Sequence, residues 1–323
     1  MKAIIFDQPG GPEVMRYAEA PDPQPGPDEL LVRVRAAGIN RAEVMQRRGG
    51  YPPPPGASPI LGLELAGEVV QPAGEWQVGD RVMAVVTGGS YAELAAVPAG
   101  IAMRVPEHLS FEEAAAIPEA FLTAHLNLFM LGGLQAGENV LIHAGASGVG
   151  TAAIQLAHAA GARVFTTASS AEKLERCQEL GADVTINYKQ ESFVERVQEA
   201  TDGQGVNLIL DFVGAPYWAD NLASLANYGR LALIGFLGGS KGELDIGPIL
   251  SKSLTVRGTT LRRTPLPQKI ALVKDFSAFA LPRFERGELR PVIDTVYPIS
   301  EAPAAHRAME ANSNTGKIVL RVD

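Results

Sequence analysis

A single cysteine stands in a chain of 323 residues. No intrachain disulfide is possible, and a structural zinc site built on four cysteines is excluded. Such sparing use fits a reducing compartment and leads us to expect a cytoplasmic protein. Cys177 falls in a helical stretch over 171–180 and reads as a small packed side chain. Cations are also short, with 28 Lys and Arg against 36 Asp and Glu, a formal charge of −8. That balance argues against nucleic acid and anionic membranes, both of which need a basic face. No apolar run reaches the length of a bilayer span, and Met1–Asp7 reads as a short strand without a signal-like stretch. Histidines at 108, 125, 143, 158 and 306 show no metal-ligand spacing. His143 ends an apolar strand and is read first as a satisfied core residue. Neither a Ser–His–Asp nor a Cys–His arrangement supports hydrolysis, and no paired carboxylates stand out.

What is present is apolar mass, 46% of the residues, enough for about two domains. Up to about residue 110, short β-like runs (2–6, 29–37, 63–70, 81–86, 92–96) alternate with Gly and Pro turns. This is the pattern of a partly open β-barrel or a sandwich. Pro52–Pro55 forms a stiff extended segment, read as a rigid loop wall. From Phe111 the texture changes to helix. Strands near 139–144, 163–168, 184–187, 206–211, 230–235 and 254–259 then alternate with helices. Six strands in that rhythm make a doubly wound parallel sheet, an α/β Rossmann domain. A helix over 267–280, a strand 292–297, a helix 300–310 and a strand 316–322 return the chain to the first domain. The expected division is 1–119 with 262–323, and 120–261.

The strongest chemical signal is the strand–turn–helix around Gly145-Ala146-Ser147-Gly148-Val149-Gly150. Gly145, Ser147 and Gly150 take the three positions of the dinucleotide pattern G-x-G-x-x-G, the middle one changed to serine. Glycines let backbone N–H groups approach a phosphate, and the positive end of the following helix favours it. An NAD site places Asp or Glu about twenty residues further on, for the ribose hydroxyls. Here the strand 163–168 runs into Ser169 and Ser170, then Lys173 one helical turn later. Hydroxyls and a cation without a carboxylate suit a 2′-phosphate, so the expected cofactor is NADPH. Ser169 is equally explained as a helix N-cap and Lys173 as a solvated helix residue. Tyr188, after strand 184–187, is placed to reach the same phosphate or is a half-buried strand end.

Further segments carry a resemblance: Gly38-Ile39-Asn40-Arg41-Ala42-Glu43, Gly62-Leu63-Glu64-Leu65-Ala66-Gly67, Ala116-Ile117-Pro118-Glu119-Ala120, Leu122-Thr123-Ala124, Gly205–Asp211 and Gly316-Lys317-Ile318-Val319-Leu320. By these and the glycine turn, the full length resembles the medium-chain dehydrogenase/reductase superfamily. Within it the chain is similar to the zinc-free, zeta-crystallin-like quinone oxidoreductases. The resemblance implies a GroES-like catalytic domain beside the Rossmann domain, with NADPH in the cleft between them, and a homodimer. The last cofactor-domain strand, near 254–259, is the expected edge for pairing with a twin. Asn40 and Tyr51 are implied to line the nicotinamide end, Thr123 to contact the cofactor, and Ser147–Val149 to hold the pyrophosphate. Gly235-Phe236-Leu237 are implied to pass beside the nicotinamide, Ser169, Lys173 and Tyr188 to meet the adenosine phosphate, and Asn314 and Lys317 to lie near the cofactor.

Zinc members of the superfamily carry ligands at places where Asn40, Leu63 and Glu119 stand here, and leucine cannot ligate a metal. No metal is therefore expected. Glu119, just after Pro118, reads as a carboxylate complementing a helix dipole. Without a Lewis acid the acceptor must already be electron-poor. The expected activity is NADPH-dependent reduction of a quinone by hydride or one-electron transfer, with Tyr51 and Asn40 as hydrogen-bond donors. Alternatives are an NADPH-dependent enone or enoyl-thioester reductase, or a non-catalytic NADPH-binding protein.

Overall fold

Alternating burial in one part of the chain and continuous burial in another separate two units, described here from a computed structural model covering residues 1–323. Unit 1 comprises Met1–Leu122 and Leu261–Asp323, and unit 2 comprises Thr123–Thr260. No helix is long and apolar enough to cross a membrane.

Unit 1 contains β1 (Lys2–Ile5), β2 (Arg16–Glu19), β3 (Glu29–Ile39), β4 (Glu64–Gln71), β5 (Arg81–Val85), β6 (Leu94–Pro98) and β7 (Ala102–Arg104). Its short helices are α1 (Arg41–Arg47) and α2 (Phe111–Ala115), and α3 (Pro118–His125) begins in it. β3 buries alternate residues along its first half and every residue at its end. It is the organising strand, pairing antiparallel with β4 and β6. A seven-stranded sheet grows from it. The chain comes back here at its end: α9 (Leu266–Glu285), β14 (Ile293–Pro298), α10 (Ala302–Ala311) and β15 (Lys317–Arg321), with β15 antiparallel to β3. Two strands were not foreseen. β2 and β7 are four and three residues long, too short to carry an apolar alternation that could be read.

Unit 2 is a six-stranded parallel sheet: β8 (Asn139–Ile142), β9 (Arg163–Ala168), β10 (Val184–Asn187), β11 (Val206–Asp211), β12 (Leu225–Leu233) and β13 (Thr255–Gly258). Their order is β10-β9-β8-β11-β12-β13, so the chain runs outward from β8 in one direction and then in the other. Helices α4 (Gly148–Ala159), α5 (Ala171–Glu179), α6 (Phe193–Ala200), α7 (Trp218–Ser224) and α8 (Gly247–Ser251) follow successive strands. Leu141, Phe165, Ile186, Val206, Ile209 and Leu231 from the strands meet Phe193, Val197 and Leu222 from the helices in one buried cluster. Each such side chain contributes about 1.5–3 kcal/mol on leaving water. β12 starts earlier than the expected 230–235. Tyr228 adopts φ +63° within it, and the pairing register with β11 shifts there, which breaks the apolar pattern. Cys177 is fully buried in α5, and burial pushes its thiol up to about 12, as a packed side chain requires.

Candidate functional site

Because all six strands of unit 2 are parallel, their carboxyl ends share one edge, and most of the cofactor candidates gather there. The turn after β8 holds Gly145–Gly150. Ser147 is the N-cap of α4, its hydroxyl accepting the Gly150 N–H at 3.0 Å. The N–H groups of Gly148 and Val149 open the first turn, before intrahelical bonding begins. The glycines at 145 and 150 also answer a packing demand. A Cβ at Gly145 would collide with Thr166 Oγ1 and come within 3.1 Å of Cys177 Sγ, and one at Gly150 would collide with Ala144 O. They permit close helix–strand packing, and Ala144, at φ +49°, makes the sharp bend.

At the end of β9, Ser170 rather than Ser169 caps α5, its hydroxyl accepting the Lys173 N–H at 3.4 Å. Ser169 therefore keeps its hydroxyl out of the cap. Asn187 of β10 pairs with Ala168 of β9, which brings Tyr188, 43% exposed, next to Ser169. No carboxylate stands among Ala168, Ser169 and Ser170. Beyond β12, Gly235-Phe236-Leu237 form a loop held by Leu237 N–H to Phe212 O (2.9 Å), with both large side chains more than half exposed. Exposed apolar side chains at a sheet's carboxyl edge are suited to meet a flat ring. Thr123 lies in α3, nearly buried, its carbonyl accepting Asn127 Nδ2 at 2.9 Å. The donors at this edge and the missing acid fit NADPH.

His143 sits just behind the glycine turn. Its Nε2 meets Asn221 Oδ1 at 2.8 Å and its Nδ1 meets Thr167 Oγ1 at 3.1 Å. Asn221 donates its amide to Asp211 at 3.1 Å, so its oxygen must accept from Nε2–H, which fixes the neutral tautomer. Burial pulls the imidazole down to about 4. It is a core residue with both nitrogens satisfied.

The remaining candidates lie in unit 1, around a charged cluster that sequence reasoning missed. The register Ile318↔Ile39 sets Lys317 beside Asn40. Lys317, almost fully buried, donates to Glu64 Oε1 (2.5 Å), Asn40 Oδ1 (2.5 Å) and Ile39 O (3.0 Å). Asn40, the N-cap residue of α1, turns its amide N–H groups toward Glu64 Oε1 (2.9 Å) and Glu43 Oε1 (3.4 Å). Glu43 also accepts the Asn40 and Leu63 backbone N–H groups, each at 3.0 Å. Burial raises Glu43 to about 7. Glu64 Oε2 accepts the Glu119 backbone N–H at 2.8 Å. Glu119 itself is pushed up to about 8, first by burial and then by Glu64 and Glu43, and its Oε2 is buried without a partner. This corrects the expectation for Glu119. Glu64 is the acid at the start of α3, and Glu119 is a carboxylic acid near neutral pH. Lys317 is likewise engaged within unit 1, and Asn314 Nδ2 bonds Gly316 O at 2.8 Å.

Two signals pointed to the cluster. Glu64 interrupts an apolar run that becomes a buried strand, and a carboxylate there needs a cation. Gly38 makes room for it, since a Cβ there would collide with Glu64 Oε1. Leu63 offers no ligand atom, and no three His, Cys, Asp or Glu side chains group to hold a metal. Tyr51 is half-buried, with its ring under the Arg262 guanidinium at 5.3 Å.

Residues 26–107 match the model of the alcohol dehydrogenase GroES-like domain, and 148–277 match that of a zinc-binding dehydrogenase. A quinone oxidoreductase of Pseudomonas aeruginosa is 37% identical over 99% of both chains. Among solved structures, the quinone oxidoreductase of Thermus thermophilus, also solved with NADPH, is 38% identical with a TM-score of 0.86, covering 99% of this chain and 100% of that one. The CurK enoyl reductase is 28% identical with a TM-score of 0.89, over 100% and 99%.

Proposed function

We propose that this chain, which belongs to the quinone oxidoreductase family of the medium-chain dehydrogenase/reductases, reduces quinones with NADPH and without zinc. Within that family it is an oxidoreductase enzyme of α/β fold, with a GroES-like and a Rossmann-like unit. The observation that carries the cofactor is the carboxyl edge of the unit 2 sheet, with its capped helix, its hydroxyls and Lys173, and no acid at the end of β9 among Ala168, Ser169 and Ser170. Gly145–Gly150 and Thr123 would hold the pyrophosphate side, Ser169, Lys173 and Tyr188 the 2′-phosphate, and Gly235–Leu237 the nicotinamide side. Bound there, NADPH supplies a hydride.

The protein's own residues orient, desolvate and stabilise. Leu63 brings no metal ligand, and the Lys317 ammonium already sits on Glu64. An unactivated carbonyl would have no Lewis acid for its developing alkoxide, whereas a quinone becomes a delocalised hydroquinone anion that one hydrogen-bond donor stabilises. The Tyr51 hydroxyl is the donor for that oxygen. Asn40, bonded to Glu64, Glu43 and Lys317, shapes the start of α1, and Asn314 and Lys317 brace the same region. The physiological form is a homodimer joined through β13, an exposed edge strand only four residues long. Compared at saturating NADPH, 1,2-naphthoquinone should be turned over well ahead of an acyclic 2-alkenal. Preference for the alkenal would instead establish enone reduction, the reading that likeness to an enoyl reductase favours. Tight NADPH binding with no turnover of any quinone would leave only a binding protein.

A further inference from the structure

Unit 1 contains a cavity of about 630 Å3 whose wall has a one-sided chemistry. It is lined by the proline run 52–55, Thr87, Arg262, Arg263 and Thr264. The prolines have no N–H and present ring faces. The charged side chains of the lining are two guanidiniums, and no carboxylate is among them. In a chain of net charge −8 this is a local reversal of sign.

Arg262 is the decisive residue. It is 3% exposed, so its charge has left water. It is held in place by Nε to Thr87 O at 2.9 Å, Nη1 to Tyr51 O at 3.4 Å, and its plane over the Tyr51 ring. Its carbonyl accepts Lys269 Nζ at 3.1 Å. Yet Nη2 is buried without any hydrogen-bond partner. A buried guanidinium that leaves a donor unmade is costly, and a docking anion that reaches it removes that cost. Its planar fork matches a carboxylate, sulfonate or phosphate. Arg263, exposed at the cavity rim, adds a second cation, and Thr87 and Thr264 add hydroxyls. A volume of this order suits a small organic molecule.

We propose that this cavity is an anion-recognising subsite for the acceptor, so that the preferred substrates are electron-poor carbonyls bearing a negatively charged arm. The inference rests on the reading of the chain as a quinone reductase, and it places the arm beside Tyr51, the donor to the reacting oxygen. The test compares kcat/KM at saturating NADPH for 1,2-naphthoquinone-4-sulfonate and 1,2-naphthoquinone, taken as a ratio so that variants cancel intrinsic reactivity. Arg262→Lys keeps the charge and loses the fork, and should lower the ratio about tenfold. Arg263→Ala, at an exposed position that leaves folding intact, should lower it about threefold. Lys274→Ala, an exposed cation on α9 outside the cavity, should leave it unchanged. Equal losses for both quinones, or an equal drop with Lys274→Ala, would overturn the subsite.

Calorimetry with redox-inert naphthalene-2-sulfonate separates this inference from the proposed activity. Binding that weakens in Arg263→Ala upholds the subsite even if no quinone turns over, and no binding refutes it. Inorganic phosphate competing as well as the sulfonated ring would show a free-anion site and overturn the claim for the acceptor's arm.

Discussion

In unit 2, His143 has a partner for each ring nitrogen and is held neutral, its imidazole pulled down to about 4. In unit 1, three glutamates surround one ammonium, Glu43 and Glu119 are raised to about 7 and about 8, and one carboxyl oxygen has no partner at all. Both networks are buried and polar. The first is closed, since each donor finds an acceptor, and such bonds contribute about 0.5–1.5 kcal/mol apiece while fixing rotamers. The second holds protons that it can release within the physiological range. A satisfied network stabilises a core, whereas a crowded one of like charge stores the capacity to titrate.

The largest test of this contrast removes the cation. Lys317→Met should destabilise the protein by about 3–5 kcal/mol in urea unfolding, because Glu64 would be left charged and unpaired. Adding Glu64→Gln should recover most of the loss. A single variant within 1 kcal/mol of the parent, by about the usual scatter of surface changes, would show that the ion pair is not what holds the cluster.

The next test uses pH, where the networks answer with opposite signs. His143 has a folded value below its ordinary 6.5, so its contribution is present above that value and is lost as pH falls through about 4. That loss is on the order of 3 kcal/mol. His306 in unit 1, lowered to about 3, behaves alike. Glu119 and Glu43 are raised, so their contribution is present below 4.5 and is lost as pH rises through about 7 to about 8. Melting curves should fall on both sides, and Glu119→Gln should flatten only the alkaline side. An unchanged alkaline slope in that variant would remove Glu119 from the account.

A smaller effect sharpens the assignment of the sheet edge. Lys173→Ala should weaken NADPH about tenfold more than NADH in fluorescence titrations, the loss of one charge-assisted contact. Equal weakening of both would make Lys173 a solvated helix residue. The smallest effect is none: exhaustive dialysis against a chelator should leave quinone turnover intact, and loss restored by zinc would overturn the metal-free chemistry.

Much of unit 2 was legible because parallel strands are buried on both faces and read as apolar runs. The runs 163–168, 184–187 and 206–211 match β9, β10 and β11 end to end. The glycine turn was legible as a turn, though Gly145 and Gly150 act through packing against Thr166 and Ala144, which no spacing reveals. Unit 1 was harder. The short strands β2 and β7 have no periodicity, and the charged cluster joins side chains as far as 277 positions apart. Lys317 was placed near the cofactor by resemblance alone, and no residue next to it in sequence shows that Glu64 and Asn40 meet it across the register of β3 and β15. Pairing of that kind is a property of topology.

The four prolines at 52–55 have a thermodynamic consequence. Their ring-locked φ angles leave the wall of the cavity few conformations to surrender, so the ordering entropy that a flexible loop would lose on meeting a guest has largely been lost already during folding. Binding there should therefore show little coupling to loop motion, and replacing Pro53 and Pro54 by glycine should make association entropically less favourable, with the directed contacts of the guanidiniums intact.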